Sequence, residues 1–187
     1  MTRNARPELG LAASSPGGAC AGCPHSPGCD GDTGGRTGTL ADMTTPTDTP
    51  ALIDDATICR VLSPLLECAI RRQLWLMFLD EDDRIAGPFM PNDDYPLDPA
   101  ETTRTEDLGV VPHAELLAKR FGMLMREFGF AKLLVTWERC GGSRIDPATL
   151  AWARAFGEAL RAEGVVVRAQ LLLHDAGLRV LAPDDLV

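Results

Sequence analysis

The chain has 187 residues, 45% of them apolar and 24% charged, and its 27 acidic side chains against 18 basic ones leave a formal charge of −9. That is ordinary globular composition, and the charge argues against nucleic acid or an anionic membrane as the main partner, because phosphate binding needs a Lys/Arg face. No apolar run reaches the roughly 18 residues that span a bilayer. Met1–Gly10 is polar with no apolar segment behind it, so no secretory leader is expected. The expectation is a cytoplasmic protein whose six cysteines are thiols or metal ligands rather than disulfides.

Residues 1–50 read as a disordered tail or linker. They hold half of the chain's 18 glycines, several prolines and hardly a large apolar residue. Such a segment buries too little surface to offset its ordering entropy. Met43, followed by Thr-Thr-Pro-Thr-Asp, offers an alternative start, which would make residues 1–42 a gene-model extension. One feature of the tail carries chemistry: Cys20, Cys23, His25 and Cys29 supply three thiols and an imidazole, the ligand set of structural zinc. All four fall within ten residues, closer than the two separated knuckles of most zinc modules.

Residues 51–187 read as a single domain. Ala51–Arg72 is expected to be helical, with Pro64 breaking or restarting it. Gln73–Leu79 is a continuous apolar run, typical of a strand buried on both faces. The acidic turn Asp80–Asp83 leads into a return strand over Arg84–Met90. Pro91–Pro112 is a long acidic connection of about 20 residues, above the usual length, so it is functional, mobile or conceals a short element. Over Pro112–Gly129 the residues Leu117, Phe121, Leu124 and Phe128 recur at helical spacing, with Pro112 suited to the first turn. Phe130–Trp137 is a Val/Leu-rich strand. Asp146-Pro147 is an N-cap followed by an N1 proline, opening a helix that ends at Gly164, with Leu150, Ala153, Gly157 and Leu160 on its buried face. Val165–Leu173 is a β-branched strand, and Leu178–Leu181 returns after the turn His174-Asp-Ala-Gly177. The order α-β-β-α-β-α-β-β specifies a three-layer α/β domain with a mixed sheet.

The stretch Thr136-Trp-Glu138-Arg-Cys140-Gly141-Gly-Ser-Arg-Ile-Asp146-Pro-Ala-Thr149 runs from strand through a Gly loop to a helix start. It resembles the metal-binding segment of RadC-like proteins in the JAB/MPN metalloprotease superfamily. That family has His-x-His, seven residues, then Ser-x-x-Asp, with both His and the Asp holding zinc. Here the register reads Thr136-x-Glu138, seven residues, Asp146-x-x-Thr149, and Gly141 takes the place of the family's loop glycine. The resemblance spans about residues 54–183 and implies the same order of elements. All three ligand positions differ, and the return strand Ile85–Met90 lacks the family's catalytic Glu. Two threonines and one carboxylate do not hold zinc. Fold analogy alone does not carry the family's hydrolysis over to this chain.

Three further constellations stand beside that register. Cys140 and His174 both lie just past the carboxyl ends of strands expected to be parallel, the edge where open α/β sheets bind ligands. A thiolate–imidazole pair there, oriented by Asp175 or Glu138, would make a nucleophile. Glu138, Cys140 and His174 also have the residue types of a rebuilt metal site. The simpler reading makes Cys140 a small loop residue and His174 the start of a polar turn. Finally, residues 80–107 carry ten carboxylates against two arginines, either a solvated loop or a surface that docks a basic partner. Trp137 is expected to point away from Thr136 and Glu138 and pack under a helix, and Trp75 and Trp152 to be core contacts. The function expected is a non-catalytic binding or scaffold domain with an unidentified protein partner, no nucleic acid or membrane, and no cofactor beyond zinc in the tail. The rivals are a cysteine-dependent enzyme using Cys140 and His174, and a zinc-binding tail module.

Overall fold

The computed structural model describes residues 50–186. The tail cluster of Cys20, Cys23, His25 and Cys29 lies outside the described residues. Helix α1 (Asp55–Leu66) begins where Asp54 accepts a bond from Thr57 N at 2.7 Å, satisfying one of the amides that a helix start leaves without a partner. The helix continues through Pro64 and stops at Leu66, with Glu67 at φ 54°. It is therefore shorter than the expected Ala51–Arg72, and no helix restarts. The amides of Ile70 and Arg71 find their acceptor elsewhere, on Glu138.

Five strands make one sheet in the order β2-β1-β5-β6-β7. Strand β1 (Gln73–Leu79) pairs antiparallel with β2 (Ile85–Asn92) on one side and with β5 (Lys132–Glu138) on the other. Strand β6 (Val166–His174) runs parallel to β5, as a helical crossover requires, and β7 (Gly177–Val180) turns back antiparallel. The sheet is mixed, and its elements follow one another along the chain roughly in the order read from the sequence, with two further strands before the second helix. Strand β2 forms one edge and contains Pro88 and Pro91, residues that cannot donate to a further strand.

The long acidic connection conceals a separate hairpin, β3 (Thr102–Thr105) and β4 (Gly109–Pro112). Gly109 at its turn has φ 73°, a conformation that costs a glycine nothing. Helix α2 (His113–Phe128) follows directly, and Gly129 closes it in the left-handed region. Pro112 stands in extended conformation just ahead of the helix rather than inside its first turn.

The side chains of α2 correct the expected stripe. Ala114, Ala118, Phe121, Gly122 and Met125 are buried, Leu117 and Leu124 are half-buried, and Phe128 is 63% exposed. The small residues face inward because α2 packs closely, and Phe128 instead stacks on Phe130 beyond the helix end. On helix α3 (Pro147–Ala162) the buried face also differs from the expected one. Trp152, Ala153, Phe156 and Leu160 are buried, whereas Leu150 and Gly157 are half-buried. Position 157 is small because a Cβ there would meet Gln170 Nε2 at 3.0 Å.

Two clusters of buried side chains define three layers. Under α1 lie Leu52, Ile58, Leu62, Met77, Leu134 and Leu171. On the opposite face α2 and α3 cover Phe78, Val135, Trp137, Trp152 and Phe156. Trp137 thus points away from Glu138 as strand alternation demands, donating from its indole to Gln170 Oε1 at 2.8 Å. Trp152 is fully buried and donates to Pro96 O, and Trp75 is half-buried on the α1 face. Each fully buried side chain of this size contributes about 1.5–3 kcal/mol through area removed from water. Among the described residues no helix is long and apolar enough to cross a membrane.

Candidate functional site

The carboxyl ends of β5 and β6 hold the residues singled out by sequence. Glu138 is the last residue of β5 and only 3% exposed. Because side chains alternate, Leu134, Thr136 and Glu138 share the α1 face, and Gln73 and Trp75 stand opposite Glu138 and Thr136 on β1. Glu138 Oε1 accepts from Ile70 N at 2.8 Å and Arg71 N at 3.2 Å. Its Oε2 accepts from Gln73 Nε2 at 2.5 Å and Trp75 Nε1 at 2.7 Å. Four N–H donors therefore converge on one carboxylate, which ties the α1–β1 connection to the end of β5. Those donors fill the directions in which a metal ion or a reacting proton would approach.

Two other positions of the register, Asp146 and Thr149, lie at the start of α3. Asp146 caps α3, accepting from Ala148 N at 3.1 Å, Thr149 N at 3.0 Å and the Thr149 hydroxyl at 2.6 Å. Arg139 Nε lies 2.8 Å from Asp146 Oδ2, close enough for an ion pair though out of line for a hydrogen bond. Burial works against the Asp146 charge. The Thr149 hydroxyl and amide, with Arg139, outweigh it and hold the carboxyl below the usual range. Thr136 is completely buried, and its hydroxyl has no hydrogen-bond partner among the described residues. The Thr149 hydroxyl is thus taken up by the Asp146 cap, and the Glu138 carboxylate by its four donors.

The Cys140 thiol faces back toward the α1 side, donating to Ala69 O at 3.9 Å. His174 is buried, and its Nδ1 accepts from Ala176 N at 3.2 Å. Burial foremost, and then the Arg179 and Arg139 guanidiniums, push the His174 imidazole below its ordinary value. Asp175 Oδ1 accepts from Gly141 N at 2.8 Å while Gly141 O accepts from Asp175 N at 3.1 Å, a reciprocal clip between the two loops. Gly141 is required there: its φ is 118°, and a Cβ would meet Arg139 Nη1 at 2.8 Å. Arg139 also donates to the carbonyls of Gly142 and Arg144, and Arg179 donates to Ser143 O at 2.8 Å. The whole β5–α3 loop is stapled to the β6–β7 turn. Among the described residues no three His, Cys, Asp or Glu side chains are grouped to hold a metal.

A second region was not apparent from spacing. Helices α2 and α3 and the segment leading into the β3–β4 hairpin enclose a groove of about 490 Å³. Ala155, Ala159 and Ala162 of α3 line it together with Ala114 and Pro99. Glu115, Glu158, Glu163 and Lys119 complete the lining, and Lys119 Nζ is held by Glu163 at 2.8 Å. The signal in the sequence was the alanine run of α3 at helical spacing, which also suits plain close packing. Neither a protein-family model nor a curated protein sequence matches the chain.

Proposed function

We propose that this chain is a non-catalytic binding domain on the RadC-like plan, with the metal-ligand register rebuilt as internal structure. One observation carries the reading: both oxygens of Glu138 are engaged by four donors of the domain itself. A zinc hydrolase needs three ligands and an open position, and a general base needs a lone pair facing the substrate. The strand end supports neither role. The concave surface instead lies between α2 and α3, beside the acidic hairpin segment, where a protein partner has room to dock. We place the protein in the cytoplasm, where Cys59, Cys68 and Cys140 stay thiols.

The rival reading, a cysteine enzyme built on Cys140 and His174, makes a distinct prediction. Thiol labelling of the full chain at about pH 6, read peptide by peptide in a mass spectrometer, separates the two. A binding domain labels Cys140 no faster than the denatured chain does. Stoichiometric labelling of Cys140 ahead of the denatured rate would mark a low-pKa nucleophile and overturn the proposal.

A further inference from the structure

The groove between α2 and α3 has a floor and a rim of different chemistry. Ala155, Ala159 and Ala162 stand at i, i+4 and i+7 of α3, so one stripe of the helix carries nothing longer than a methyl group. A second helix can then approach at the short end of the usual 8–10 Å interaxial range. The rim is acidic. Glu115, Glu158 and Glu163 bring three negative charges and Lys119 one positive, a sum of −2. Asp98 and Glu101, exposed beside the groove residues Pro99 and Ala100, add to the same field. Lys119 is the one cation among the lining residues and is neutralised by Glu163.

Charge also selects among occupants. A second copy of a chain with net charge −9 would bring like charge to the rim. Residues 1–49 hold three arginines against five carboxylates, a net of −2, and are no better matched. We infer that this groove receives a helix of a partner protein with small apolar residues along one stripe and Lys or Arg beside it. The inference rests on the binding-domain reading and names its partner chemistry. The docking mode is helix-in-groove: the apolar stripe covers the alanines while the basic flanks meet Glu115 and Glu158. Their field acts mainly on specificity and encounter rate.

The test uses the full chain and a synthetic helical peptide of 16 residues, alanine along one stripe and lysine on both flanks, with a second peptide carrying glutamate for each lysine. Binding is read by fluorescence anisotropy and located by amide chemical shifts. The lysine peptide should bind saturably below about millimolar, shift the Ala155 and Ala159 amides, and weaken about tenfold in Glu115→Lys/Glu158→Lys. Glu158→Lys alone, away from the helix start, should weaken it several-fold and guards against a folding defect in the double variant. The inference fails if the glutamate peptide binds equally well, if the variants bind unchanged, or if no saturable binding occurs. Spermidine shifting the same amides and displacing the peptide would likewise overturn it, in favour of a small-cation site. If the peptide fails while Cys140 reacts at the ordinary rate, the partner chemistry is wrong and the binding-domain reading stands. If Cys140 reacts as an activated thiol, that reading falls too.

Discussion

Glu138→Gln is the perturbation that the packing makes most informative. The substitution keeps the shape of the side chain but turns one acceptor oxygen into an NH2 group. Whichever way the amide is turned, two N–H donors then face another donor. If the NH2 sits at the Oε1 position, the amides of Ile70 and Arg71 lose their acceptor; at Oε2, Gln73 Nε2 and Trp75 Nε1 do. A buried donor left without a partner costs about 2 kcal/mol, and less at the amides of the exposed residues Ile70 and Arg71, so the pair costs about 2–4 kcal/mol. That is a large part of the 5–15 kcal/mol typical of domain stability. With an m value of about 1.5 kcal/mol per M for a domain of this size, the urea midpoint should fall by roughly 1.5–2.5 M. The assay is urea unfolding followed by tryptophan fluorescence at neutral pH, with far-UV circular dichroism to show that the variant still folds. A midpoint within about 0.5 M of wild type would refute the reasoning, because the carboxylate would then be neither buried nor holding four donors.

Two other changes have definite signs. Burial, Arg179 and Arg139 lower the His174 pKa below its ordinary 6.5, so the unfolded chain takes up this proton at a higher pH than the folded chain. Stability is then full above about pH 6.5 and falls as pH drops toward the lowered folded value. The urea midpoint of wild type should decline between about pH 7 and 5, and His174→Gln should be flat over that range; parallel declines would remove His174 as the cause. Thr136→Val removes a fully buried hydroxyl that has no partner among the described residues, and should raise stability by about 1 kcal/mol. A loss of that size would mean that the hydroxyl is hydrogen-bonded in solution.

What the sequence disclosed was chiefly what local chemistry decides. Asp146-Pro147 announced the start of α3, Gly129 the end of α2, and the apolar run Gln73–Leu79 a strand buried on both faces. The Gly141 turn was visible for the same reason, since few residues tolerate its φ. The β3–β4 hairpin was missed because its strands are four residues each, and neither Thr-Thr-Arg-Thr nor Gly-Val-Val-Pro alternates apolar with polar. The inward face of α2 was misjudged because large apolar residues were favoured over alanine and glycine, and that of α3 because Leu150 and Gly157 were taken in place of Trp152 and Phe156. The role of Glu138 was hidden for a different reason. Its donors come from 63 to 68 positions earlier, and only the pairing of β1 with β5 brings them together. Sequence spacing showed which residues occupy the register, while strand pairing decided what Glu138 bonds to.

The central claim is that the end of β5 is a structural knot with no metal chemistry. Elemental mass spectrometry tests it most directly, on the full chain purified without chelator or affinity-tag histidines, beside Cys20→Ser/Cys23→Ser/Cys29→Ser and Glu138→Gln variants. The account predicts no zinc that depends on Glu138; any zinc found should disappear with the three tail cysteines. One zinc per chain that survives their removal and is lost in Glu138→Gln would contradict it, because Glu138 would then be a ligand rather than the acceptor for four N–H groups of its own domain.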